Sequence, residues 1–315
     1  MTFSWNIVTD LRLLWQISFM RNAFEAGTIT AVVAGIMGYL VVLRRSAFAT
    51  HALGHGGFSG AAGAVLFGVN PVYGLLVATM SGGVGMALLG RRASNRDIEI
   101  GTILAFMLAL GLVFLSLYNG YATEAYSILF GEILGISYAG VILTLEAAVV
   151  VLAVLAFIHR PLLFSSLDAD VAEAKGLPMM PLGLIFMLLL AVAISFAVQI
   201  IGVLLIFALM VTPAASAVRL SKRPLYAVVI SVTIAVLATW IGLFMSWACS
   251  VPGSGCNAPY PASFYIVAIA FGTYVLVRLA DWAFGRWSRP VATHSPDLPG
   301  SVRELRDSGA APPEL

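Results

Sequence analysis

Two histidines, His51 and His55, stand in the stretch FATHALGHGGFSG at Phe48 to Gly60. Four residues apart, they share one face of a helix, and neutral imidazole is a good ligand for zinc, copper, nickel and iron. The competing reading is two histidines bonded to carbonyls inside a packed bundle. A pair does not complete a zinc site, which takes four donors. The remainder must come from a second copy across a two-fold axis, from a bound partner or from water. A protonated imidazole cannot ligate, so binding at this pair is expected to weaken below about pH 6.

Hydrolytic chemistry does not fit these residues. An H-E-x-x-H zinc protease needs a Glu beside the first His as general base, and position 52 is Ala. The other histidines, His159 and His294, fall at a span end and in the tail, with no nucleophile and positioned base. No G-x-x-x-x-G-K-[ST] loop exists, and the glycines of SGGVG at Ser81 to Gly85 lie inside an apolar run, where they serve helix packing. The chain is therefore not expected to hydrolyse ATP. Glu146, deep in another apolar run, is either a way-station for an ion or a protonated hydrogen-bonding group.

The elements that must hold these residues are membrane spans. Of 315 residues 60% are hydrophobic and 10% charged, with mean hydropathy +0.98, against about 25% charged in soluble domains. Apolar runs fall at Gly27–Leu43, Ala47–Val69, Pro71–Leu89, Ile98–Leu117, Tyr138–Ile158, Leu182–Val198, Ile200–Val218, Leu225–Ala248 and Ala262–Phe284. They predict an all-α polytopic membrane protein of eight to nine transmembrane helices within residues 21–285. Gly54, Gly56, Gly57, Gly60, Ala61, Ala62 and Gly63 flank the histidines with small residues that let helices approach closely in lipid. Lys and Arg cluster at alternate loops, which the positive-inside rule places in the cytoplasm. The net charge of +2 gives no argument for nucleic acid. Loop parity puts the N-terminus outside, with residues 1–20 an amphipathic surface segment and no removable signal.

Three further segments carry expectations. Glu124 to Ile136, containing Glu132, reads as a short interfacial helix. Residues 160–178 read as a cytoplasmic helix offered to a partner, capped by Ser166, with Asp168 and Asp170 in its first turn, then Glu173 and Lys175, and Gly176 as its stop. The tail, 286–315, is too polar to bury a core and is read as disordered. Cys249 and Cys256 bracket a polar loop, 249–261, that parity places outside, where thiols oxidise.

Four stretches, in this order, resemble one family, the permease subunits of ATP-driven importers for zinc, manganese and iron. They are FMRNAF at Phe19 to Phe24, GYLVVLRRSAFATHALGH at Gly38 to His55, LFGEILGIS at Leu129 to Ser137, and IGVLLIFALMVTPAASA at Ile201 to Ala217. The resemblance covers Phe19 to Phe284. It implies a type II ABC-importer-like permease of the cytoplasmic membrane that works as a homodimer with cytosolic ATP-binding subunits and an external metal-binding solute-binding protein. ATP would be held by the partner, and the metal would be cargo rather than a resident cofactor. The resemblance makes LDADVAEAKGLP, with Asp168, Asp170, Glu173, Lys175 and Gly176, the ATPase-docking helix. It also sets His51 on the Asp, and His55 on the His, of the family's D-A-L-S-H. Imidazole in place of carboxylate moves the pair from hard manganese toward zinc. Manganese or iron is the alternative cargo, and Glu132 keeps the carboxylate of the family's L-F-G-D with longer reach. A secondary, ion-coupled transporter would show inverted repeats, and none is visible.

The two cysteines give a direct test. If they form a disulfide, reductant will raise the intact mass by that of two hydrogens; an unchanged mass overturns the pairing.

Overall fold

A computed structural model of the chain describes residues 17–89, 96–117, 131, 133–250 and 261–284. The described elements are helices: α1 Ser18–Leu43, α2 Ala47–Leu66, α3 Pro71–Leu89, α4 Arg96–Leu117, α5 Tyr138–Leu167, α6 Ala169–Ala174, α7 Met179–Ile201, α8 Val203–Leu220, α9 Pro224–Ser250 and α10 Ala262–Phe284. Helices are what lipid demands, because every backbone donor must find its acceptor within the segment. All except the six-residue α6 correspond one-to-one to the nine apolar runs. Seven of them, α1, α3, α4, α5, α7, α9 and α10, are long and apolar enough to cross a membrane. The chain divides into two compact units, Met1–Val277 and Arg278–Leu315. The first holds α1 to α9 and most of α10; the described residues of the second, 278–284, end that helix.

Contacts between helices fix their relative directions. Phe48 lies by Gly101, Met107 by Gly56, Ser59 by Gly111 and Phe114 by Gly63, so positions along α2 and α4 advance together and the two are parallel. A Cβ built on Gly60 would meet the Gly74 carbonyl, and one on Gly57 would meet Thr79, so α3 is antiparallel to α2. In the same way Gly83 packs on Met187 while Thr79 and Ser195 share a 2.6 Å hydroxyl hydrogen bond, which sets α7 antiparallel to α3. Gly27 meets Thr239 and Gly35 meets Val232, which sets α9 antiparallel to α1. These directions match the alternation that the arginine loops require.

Four boundaries differ from the sequence reading. The first helix begins at Ser18 rather than Gly27, because Met20, Ala23 and Phe24 form a buried face while Arg21 and Glu25 pair on the outside at 3.9 Å. Helix α5 runs on through Pro161 to Leu167. Gln199 lies within α7, and the break between α7 and α8 falls at Gly202, whose φ of 96° is one that glycine adopts at no steric cost. The cap of α6 is Asp168, whose carboxylate accepts from the Val171 N–H at 3.0 Å, whereas the Ser166 hydroxyl is turned back onto the Leu162 carbonyl within α5. Residues 133–135 form a turn in the segment expected as an interfacial helix. The rest of that segment apart from Gly131 and Ile136, the N-terminal 16 residues, the loop 251–260 and the tail lie outside the described residues.

Polar ties hold the bundle where water cannot. Ser231 donates to the Gly35 carbonyl at 2.9 Å, and the Trp240 indole donates to Thr28 at 2.8 Å. Such bonds are worth about 0.6 to 2 kcal/mol in a membrane. In α8, Pro213 leaves a carbonyl without its helical donor; Thr212 and Ser216 donate to the carbonyls of Ala208 and Thr212 beside it.

Gly60→Ala tests the closest of these approaches. The added methyl falls on the Gly74 carbonyl and the Ala78 side chain, so a stability loss of about 1–3 kcal/mol is expected, read as a lower melting temperature of the detergent-purified protein. An unchanged melting temperature would rule out a backbone contact there.

Candidate functional site

The histidine helix starts from a tight corner. The Arg44 N–H donates to Leu40 and the Ser46 N–H to Val41, while Arg45 takes φ 52° between them. Ser46 then opens α2, its carbonyl accepting from both the N–H and the hydroxyl of Thr50. From that fixed start the helix carries His51 and His55 into the bundle on one face.

The two imidazoles meet. Their centroids are 4.5 Å apart with planes at 74°, and His51 also stands edge-on to Phe207 of α8 at 5.3 Å. Both histidines are half-buried. Nearby small residues bring the neighbours close: Gly54 faces Ile206 and the Val203 carbonyl, and Gly56 seats the Met107 thioether. An ion about 2 Å from one nitrogen of each ring sits roughly 3.2 Å from each centroid. Centroids 4.5 Å apart then subtend about 90° at it, and the wider angle of a tetrahedral site needs about 5.2 Å. On centroid spacing alone, one ion shared between a nitrogen of each ring would require an octahedral angle, or a tetrahedral one with the rings opened by about 0.7 Å.

Two candidate ligands are all that the described residues bring together here. Among them, no group of three or more His, Cys, Asp or Glu side chains could hold a metal. Glu132 lies outside the described residues. Its neighbour Gly131, at φ 75°, is pressed against Ile200, Ile201 and Gly202 at the α7–α8 break. Glu146 lies on the exposed face of α5 among Leu145, Val149 and Val150, and α5 packs chiefly on α1 and α7 rather than on the histidine helix.

The expected docking segment is a discrete surface element. Asp168 caps α6, Ala172 is its buried anchor, and Asp170 and Glu173 are exposed. The Lys175 ammonium lies 5.3 Å from the centre of the Phe164 ring, and Gly176 ends the helix at φ 79°. Cys249, near the end of α9, is not a free thiol; Cys256 lies outside the described residues, so the pairing stands as a proposal. Sequence reasoning missed Phe207 as the ring against His51 and Met107 as the filler beside it. Both are ordinary apolar residues in apolar runs, and only helix directions reveal them.

Comparison with known proteins gives a consistent result. The manganese transport system membrane protein MntC of Listeria monocytogenes is 27% identical over 259 residues, which is 82% of this chain and 92% of that protein. The high-affinity zinc uptake system membrane protein ZnuB of Haemophilus influenzae is 27% identical over 228 residues, covering 71% of this chain and 86% of the relative. The structure of PsaBC from Streptococcus pneumoniae in complex with Fab shares the fold, with a TM-score of 0.74 at 24% identity over 86% of this chain and 95% of that one. The model of the ABC 3 transport family matches residues 16–272. A multi-pass membrane permease subunit rather than an enzyme, this chain belongs to the ABC 3 transport family.

Proposed function

We propose that this chain is the membrane subunit of an ATP-driven importer that carries a divalent transition-metal ion, zinc, across the cytoplasmic membrane. The observation that supports this reading best is the imidazole pair at 4.5 Å on a helix packed inside the bundle. Ionisable side chains are costly in such a place and mark ion pathways. His51 and His55 bind the ion in passing, and water or a further protein donor completes the shell. Glu132 adds a carboxylate on the pathway, whereas Glu146, on the exposed face of α5 away from the histidine helix, is left out of it.

Two copies of the permease work with cytosolic ATP-binding subunits and an external solute-binding protein that delivers the ion. The ATPase sits on α6, at Asp168, Asp170, Glu173, Lys175 and Gly176. ATP is bound and hydrolysed there, and its closure shifts the permease between states open to either side by binding one state better than the other. The chain's own residues hold and release the ion without altering it.

Manganese is the second reading, favoured by relatives named for it, including MntC of Listeria monocytogenes and the manganese import system permease protein ScaB of Streptococcus parasanguinis. Position 51 argues the other way, since neutral nitrogen suits zinc and carboxylate oxygen suits manganese.

Uptake by the reconstituted complex, with zinc, manganese and iron in competition, decides between them. Zinc should be taken up preferentially by the wild type. His51→Ala combined with His55→Ala should abolish uptake while the complex still assembles, and His51→Asp should move the preference toward manganese. Undiminished uptake by the double variant would falsify the ligand assignment. An unchanged metal ranking in His51→Asp removes the selecting role of that residue.

A further inference from the structure

One side chain ties the start of the histidine helix to the base of the docking helix. Arg44, which ends α1, donates through Nη1 to the hydroxyls of Ser165 at 3.3 Å and Ser166 at 3.4 Å. Its guanidinium also lies over the Phe186 ring of α7, 5.0 Å from the ring centre. Ser165 and Ser166 form the last turn of α5, directly before Asp168, whose carboxylate caps α6. On the other side, the Arg44 carbonyl accepts the Ser46 hydroxyl, and the Ser46 carbonyl accepts the first bonds of α2 from Thr50, next to His51. Arg45, at φ 52°, is the non-glycine described residue with positive φ, so the corner between these bonds is a specific backbone shape rather than a loose link.

The surroundings leave this tie able to respond. Arg44 and Glu173 of α6 line one cavity of about 490 Å³, with Met86, Leu177 and Phe186 among its walls. The cavity gives α6 room to move, and the bonds of Ser165 and Ser166 to Arg44, with those of Ser46 to Arg44 and Thr50, form an unbroken chain of contacts from the α5 end to α2.

We propose that Arg44 is a positioning residue that couples the docking helix to the histidine helix, so that movement of α6 is delivered to His51 through Ser165, Ser166, Arg44 and Ser46. This rests on the transport reading above. A planar fork stacked on an aromatic ring and bonded to two hydroxyls is specific to arginine, and lysine, a point charge on a flexible stem, does not reproduce it.

The test uses the full complex with its ATPase and solute-binding protein in proteoliposomes. It reads zinc uptake per ATP hydrolysed, alongside zinc binding to the detergent-purified complex. Arg44→Ala and Arg44→Lys should each lower uptake per ATP about fivefold or more, the size of a typical coupling between sites, with zinc affinity and ATPase assembly unchanged. Ser165→Ala with Ser166→Ala should lower the ratio too, and adding Arg44→Ala to that pair should lower it no further, since the three groups act as one unit. A wild-type ratio in Arg44→Lys or in the serine variant overturns the coupling, as do additive losses, and so does weakened zinc binding, which would make Arg44 part of the site's shape. Wild-type uptake separates the two ideas. Its absence overturns the transport reading, whereas its presence with an unaltered variant ratio overturns only the role of Arg44.

Discussion

The arrangement depends on how closely backbones approach the histidine helix. In lipid there is no hydrophobic drive between helices, so association rests on packing and on bonds between polar groups. Helix α2 meets that condition with side chains reduced to hydrogen or methyl where neighbours cross it. Gly60 touches the Gly74 backbone, Gly54 approaches α8, and Gly57 and Gly63 receive side chains of α3 and α4. Only because α2 is enclosed in this way are two imidazoles held in a half-buried position with defined neighbours, rather than on a lipid-facing surface.

The same enclosure orders what surrounds it. With α3 antiparallel and α4 parallel to α2, and both packed directly on it, the chain passes the histidine helix on several sides before reaching α7 and α8. Phe207 arrives from a segment more than 150 residues further along the chain and closes over His51. The site is therefore a property of the folded bundle, although both candidate ligands lie within a single turn.

Much of this was legible in the sequence, because lipid simplifies the code. Apolar runs gave the helices, alternating arginines gave their directions, and the i, i+4 spacing gave the meeting of His51 and His55. Boundaries were less legible where the decision is local. Gln199, a polar residue between two apolar runs, looks like a break, but the chain turns at Gly202 because a positive φ is required there. Ser166 and Asp168 are both good caps, and the choice went to Asp168 because α5 continues through Pro161 and keeps Ser166 inside a helix. The partners of Arg44 lie more than 120 residues away in sequence and were invisible to any window; read from composition alone, that arginine marks only a cytoplasmic loop.

The contact between Gly131 and the α7–α8 break sets a different kind of limit. Both Gly131 and Gly202 have positive φ, and a Cβ on Gly131 would land on Ile201 and Gly202 backbone atoms. Two bare stretches of main chain, some seventy residues apart, lie against each other with no side chain between them to adjust. Residue 131 cannot be larger unless the main chain at 200–202 retreats, and residue 202 is held to glycine by its positive φ. A change at residue 131 and the course of the main chain at 200–202 are thus governed by one backbone contact, independent of which ion the site holds.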